Sequence, residues 1–307
     1  MGGTKMIRLL NFALIFWSVL LIGNTVVPGY NLSDSRSGDA NVNSAGPAST
    51  SLPKTDIETI AQGNQSSVDQ PFIAVIRESS VYDELRKTVS GLPGRDAEAF
   101  KKTAVIAAFL GERRTAGYGI SISQSADGVL KLSETVPPKG AMLAQVITSP
   151  FGVYTVSLPN PETQVVLELT GAWKSAGKVF DLTTGEFTMV GGFAGQQEPF
   201  QLEGHLNLLR LGNLVSIIFD IQARDAKKPR SLRTIATGII KADNNINLPV
   251  FDSGTLIDRP RPFLSATGTF ASDASSLTLR LQSLANLVIA DGYVGQGSLK
   301  ARASVEK

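Results

Sequence analysis

The chain has 307 residues, with Lys plus Arg at 29, Asp plus Glu at 27 and a formal net charge of +2. So balanced a charge gives no field to gather nucleic acid, and the longest basic patch is the short "AKKPR" at 226–230. With no cysteine and a single histidine, His205, the sequence lacks the residues for disulfides, thiolate metal sites, cysteine nucleophiles, lipidated cysteines and multi-histidine metal centres.

The N-terminus opens with Lys5 and Arg8 ahead of the apolar run "LLNFALIFWSVLLIG", 9–23. A basic stretch followed by a short apolar one is the pattern of a secretory signal, and the run falls short of a comfortable bilayer span of roughly 20 residues. Residues 1–30 therefore read as a signal peptide or, since no small-x-small cleavage site follows, as an uncleaved N-terminal anchor. A buried helix is the third reading. The first two place the rest of the chain outside the cytoplasm, secreted or in the periplasm or cell envelope, with a membrane contact only through that anchor. Residues 31–69 are rich in Ser, Asn, Gly and Asp and poor in large apolar residues, which predicts a disordered linker.

Order is expected from residue 70. "FIAVI" (72–76) predicts a strand, and "SSVYDELRKTV" a short helix with Ser80 as its N-cap, acidic residues in its first turn and basic ones near its end. Pro93 and Gly94 break the helix. "AVIAAFLG" (104–111) predicts a central strand. Alternation through Tyr118, Ile120 and Ile122 predicts a half-buried one, "SADG" (125–128) a hairpin turn, and "VLKLSETV" the returning strand. "PPKGAM" (137–142) reads as a loop, and "LAQVITSPFGVYTVSL" as the last strands, with "QVITSP" an interior strand ended by Pro150. Residues 70–160 thus form an α+β module.

From 161 to 307 the runs "QVVLELTG", "FTMVGGF", "HLNLLRL", "VSIIFDIQA", "RTIATGII", "LSATGTF" and "SLTLRLQSL" mostly alternate, with turn signals between them and no helical period. That predicts an all-β domain, an antiparallel β-sandwich or a small barrel.

Between the central strand and the hairpin lies "GERRTAGY", 111–118. Tyr and Arg offer large contact area with a hydrogen-bonding tip, so Arg113, Arg114, Thr115, Gly117 and Tyr118 are the candidate partner-binding residues, with Gly117 setting the turn. The alternative packs Tyr118 under its own hairpin and pairs Glu112 with an arginine. Elsewhere the signals are poor. His205 begins an alternating strand without a nucleophile and an orienting group. Ser175 and Lys178 mimic a Ser-x-x-Lys pair, but "AWKSAGKVF" reads as strand and turn. "VGGFAGQ" (190–196) lacks the Lys-Ser/Thr of a phosphate loop. Asp220, Asp225, Asp243 and Asp252 have no calcium-loop spacing, and "DRPRPF" (258–263) reads as a crossing loop. No catalytic residue, metal ligand or cofactor is assigned.

The segment from "FIAVI" to "GVYTVSL", about 70–158, resembles the PrcB family, named for an accessory component of a secreted protease complex. The resemblance is carried by Gly111, Glu112, Arg113, Thr115, Gly117 and Tyr118, then by Pro137, Pro138, Gln145, Val146, Thr148, Ser149 and Pro150. Arg114 stands where the family favours Pro, and Ala116 where it favours Gly. The resemblance implies a non-catalytic, extracytoplasmic module that binds a protein partner, a protease among the possibilities, and stabilises its complex. The Thr-x-Gly-Tyr stretch is also similar to a loop of chagasin-type inhibitors, which implies peptidase inhibition through 111–118 as an alternative. A third reading is carriage of a small apolar ligand inside a C-terminal barrel.

Overall fold

A computed structural model describes residues 55–126, 128–159, 163–191, 196–224, 226, 229–251, 263–271, 273–283 and 294–304. The signal or anchor, the linker as far as residue 54, most of "VGGFAGQ", the aspartates 225 and 252, and nearly all of "DRPRPF" lie outside the described residues. Among the described residues no helix is long and apolar enough to cross a membrane. The protein is mostly β, with one α-helix among those residues.

The strands of the first part are β1 (Ile57–Gly63), β2 (Phe72–Ile76), β3 (Thr103–Phe109), β4 (Gly119–Gln124), β5 (Leu130–Thr135), β6 (Phe151–Ser157) and β7 (Leu167–Leu169). One sheet runs in the order β1-β6-β3-β2 and a smaller one in the order β4-β5-β7. β3 is central, as its unbroken apolar run predicts, and it is buried on both faces. The sequence assigned Ile57–Gly63 to the linker. Instead it forms β1 and pairs antiparallel with β6, because the ladder depends on the backbone and not on large side chains. β7, beyond residue 160, pairs parallel with β5.

Helix α1 (Ser79–Thr88) turns Val81, Tyr82 and Leu85 into the core, and the Tyr82 ring meets Phe100 at 5.9 Å. Its N-cap is Glu78, in extended conformation and without a side-chain cap; Ser80 lies within the helix. Asp83 and Glu84 sit beyond the first turn and pair with Arg86 and Lys87 at i+3. The expected basic end is present and the expected acidic start is not.

The remaining strands are β8 (Lys178–Gly191), β9 (Gln196–Leu211), β10 (Leu214–Ala223), β11 (Ser231–Ile240), β12 (Asn245–Phe251), β13 (Phe263–Phe270), β14 (Ser276–Ser283) and β15 (Val294–Ala303). They close an antiparallel barrel as β10-β11-β12-β13-β14-β15-β8-β9, so of the two architectures expected here the barrel is the one formed. Phe180, Phe187, Phe219, Leu248, Leu264, Leu279 and Leu299 are among the side chains packed into its centre. These side chains fill much of the interior, as in other small barrels. On β13–β15 the outward positions Thr267, Thr269, Thr278, Arg280, Gln282, Gln296 and Lys300 are polar.

Where β9, β10 and β11 meet the first part, the outer wall is apolar and covered. Leu209, Leu211, Leu214, Ile218, Ile235 and Ile239 join the core formed by β2, β3 and α1. The backbone N–H of Val75 on β2 donates to Thr237 Oγ1 at 3.0 Å, and that hydroxyl lies 2.9 Å from Ser216 Oγ. Asn213 Nδ2 donates to Glu84 Oε1 at 3.0 Å. Burial lowers the pKa of the Arg77 guanidinium to about 10, and it stacks over the Phe251 ring at 4.3 Å. The indole of Trp173, in a 3-10 turn spanning Gly171–Ser175, is fully buried and donates to Phe109 O at 2.8 Å.

Candidate functional site

The stretch leaving β3 is laid down by backbone contacts. Gly111 has φ +72°, and a Cβ there would come within 2.6 Å of Asp69 O, so glycine alone lets the two segments touch. Glu112 N–H donates to Asp69 O at 3.0 Å. Arg113 and Thr148 exchange both backbone bonds, at 2.7 and 2.8 Å, and Ala116 N–H donates to Ala144 O at 3.1 Å. Gly117 makes the turn at φ +92°, with Pro137 and Leu143 close against it.

Arg113 is tethered inward. Its Nε and Nη2 donate to Glu134 Oε1 at 3.2 and 3.0 Å, and its Nη1 donates to Glu112 O at 3.0 Å. The side chains of this pair are 18% and 11% exposed, and Glu134 Oε2 also accepts the Ala172 N–H at 3.1 Å. The Arg113 guanidinium lies 5.4 Å from the centre of the Tyr118 ring. Five expected residues thus come together in three postures. Arg114 and Gly117 are exposed, Thr115 and Tyr118 are half-buried, and Arg113 is tied down. The acid that holds an arginine here is Glu134, not Glu112.

The larger departure is "QVITSP", expected as an interior strand. Only Thr148, Ser149 and Pro150 are buried, and Gln145, Val146 and Ile147 stand outside. Pro137, Pro138 and Gly140 carry the chain into an arm with no ladder of its own, so its side chains need not alternate into a core. On that arm Val136, Met142, Val146 and Ile147 are 60%, 102%, 47% and 65% exposed. Sequence reading put Met142 in a loop but assigned Val136, Val146 and Ile147 to strands; the signal available was apolar residues inside a Pro/Gly/Ala-rich stretch. Arm and turn form one surface, since Ala144 and Leu143 of the arm touch Ala116 and Gly117.

The remaining candidates lie elsewhere. His205, exposed on β9, has Nε2 3.7 Å from Asp220 Oδ2. Ser175 ends the 3-10 turn, rather than the strand and turn expected of it, and Lys178 begins β8. Among the described residues no group of three His, Asp or Glu is placed to hold a metal ion.

Residues 104–157 match the family described as PrcB C-terminal. The matched span runs from β3 to β6 and contains the whole turn and arm; the barrel lies outside it. A comparison with curated proteins gives no match.

Proposed function

We propose that this chain is a non-catalytic, extracytoplasmic protein that binds a partner protein and stabilises a protease complex. The contact surface is the arm 136–147 with the turn 113–118 beside it. The observation that carries this reading is the arm itself: four large apolar side chains held out to solvent on a segment tied back by Ala116 N–H to Ala144 O and Gln65 Nε2 to Ile147 O, and anchored at its end by Thr148. Solvated apolar side chains grouped on one rigid feature mark interaction sites, and burial in a partner recovers about 25 cal/mol per Å² of apolar area. Methionine suits such a role because its flexible thioether fits irregular surfaces. Arg114 and Lys139 are exposed at the edges and supply a polar rim. The PrcB C-terminal match over 104–157 makes a protein of a protease complex the partner of choice.

The test is affinity capture after cross-linking in the native envelope, with Met142→Glu/Ile147→Glu compared with the unchanged chain. Both positions are exposed, so the fold and its thermal midpoint stay as they were. Loss of a protease subunit from the captured set is the expected outcome. Retention of that subunit at the same yield removes the arm from the interface.

A further inference from the structure

A second feature lies where module and barrel meet, and no residue of the arm lines it. Between β7 with the Trp173 turn and the outer wall of the barrel is a cleft of about 390 Å³, within the range of small-molecule pockets. Its walls are Val165, Leu167, Leu169 and Trp173 on one side and Ile218 and Ile235 on the other.

The barrel wall under it is graded by register. Asp220 pairs across the strands with His205 and Arg233, one row of polar groups at the rim. Two residues along, Ile218 pairs with Asn207 and Ile235, an apolar row containing one amide. Two further, Ser216 pairs with Leu209 and Thr237, and this row is sealed beneath β2.

Asn207 is the exception in the middle row. It lines the cleft, is only 8% exposed, and its buried Oδ1 accepts no hydrogen bond from the described residues. A buried amide oxygen without a donor is costly, and a ligand N–H or O–H is what would satisfy it. The rim carries both signs, Arg233 and Lys174 against Asp220 and Glu168, with Arg233 Nε donating to Asp220 Oδ1 at 3.0 Å, so it selects no net charge.

We propose that the cleft binds a small neutral molecule with a compact apolar body and one hydrogen-bond donor, the body between Leu167 and Ile218 and the donor on Asn207 Oδ1. The site is formed only where module and barrel meet, and it is distinct from the protein-binding surface.

The probe pair is 2-naphthol and its isostere 2-methylnaphthalene, titrated into the full chain by calorimetry. The hydroxyl is expected to tighten binding by about tenfold, the worth of one hydrogen bond. Ile218→Trp fills the cleft from the barrel wall and is expected to abolish binding of both probes. Asn207→Leu keeps the apolar walls and is expected to erase the preference for 2-naphthol while 2-methylnaphthalene still binds. In a Trp17→Phe background the emission of Trp173 reports occupancy directly. No binding of either probe to the unchanged chain overturns the proposal, as does binding that survives Ile218→Trp. A preference for 2-naphthol that survives Asn207→Leu overturns the assignment of the donor.

Discussion

Two stretches of one barrel wall obey different rules. On β14 the burial alternates residue by residue from Ser276 to Ser283, apolar inward and polar to water. On β10 and β11 it does not, because Leu214, Ser216, Thr237 and Ile239 point outward and are met by β2 and α1, while Ile218 and Ile235 face the cleft beside β7. The closed ladder needs only one apolar face. A second one on two adjacent strands therefore marks where another layer must dock. Loss of alternation is the trace of the junction.

A junction that contributed little to stability would leave the two walls equivalent. Trp173→Ala empties a fully buried indole site at the junction and strips Phe109 O of its donor, a loss of about 3–5 kcal/mol. Leu279→Ala, deep in the barrel, is expected to cost about 2–5 kcal/mol. Calorimetric unfolding should show both substitutions lowering a single transition, since the core formed by β2, β3 and α1 includes Leu209 and Leu214 of the barrel. Two separate transitions, each moved by only one substitution, would make the barrel self-sufficient and its covered wall incidental.

The barrel was legible because alternation is a local property: "SLTLRLQSL" declares its inward residues by spacing alone. Closure was not, because whether the strands form a sandwich or a ring depends on pairing β8 with β15, more than a hundred residues apart. The turn at Gly117 was readable from its glycine, which takes the positive φ that the position requires. Three features of the site were hidden. Glu134 reaches Arg113 from β5, and no spacing announces a partner twenty-one residues away. Val146 and Ile147 of the arm read as strand because nothing in "LAQVI" says that its ladder partner is missing. β1 was lost to composition, since "IETIAQG" carries too few large apolar residues to stand out from a tether.

A sharper form of the comparison uses one chemical change in two places. Thr237→Val leaves the Val75 N–H buried without its acceptor and parts Ser216 from its partner, so a loss of about 1–3 kcal/mol is expected. Thr267→Val, on the open wall of β13, leaves a solvated position and should stay within about 0.5 kcal/mol. Urea midpoints for the two variants measure the difference. Equal midpoints would mean that the covered threonine is no more committed than the exposed one.

The smallest effect concerns the turns that keep the open wall regular. β11–β12 and β13–β14 reverse by one device, in which an aspartate carboxylate accepts the N–H two residues on and the residue between takes positive φ: Asn244 at 60° and Ala274 at 52°. Hydrogen bonds from the Ser275 hydroxyl and N–H hold the Asp273 carboxyl below its ordinary value of 3.8. A folded pKa depressed in this way gives stability that is present above the unfolded value and lost as pH falls through the folded one. Asp273→Asn keeps an acceptor and removes the titration. The unchanged chain should therefore be the more stable of the two at pH 6, and the gap should close as the pH drops below about 3.8. The same comparison at Thr237 should show no such convergence, because a hydroxyl does not titrate there. A gap at Asp273 that persists unchanged into acid would assign the turn's stability to geometry alone, and the regular wall would then owe nothing to charge.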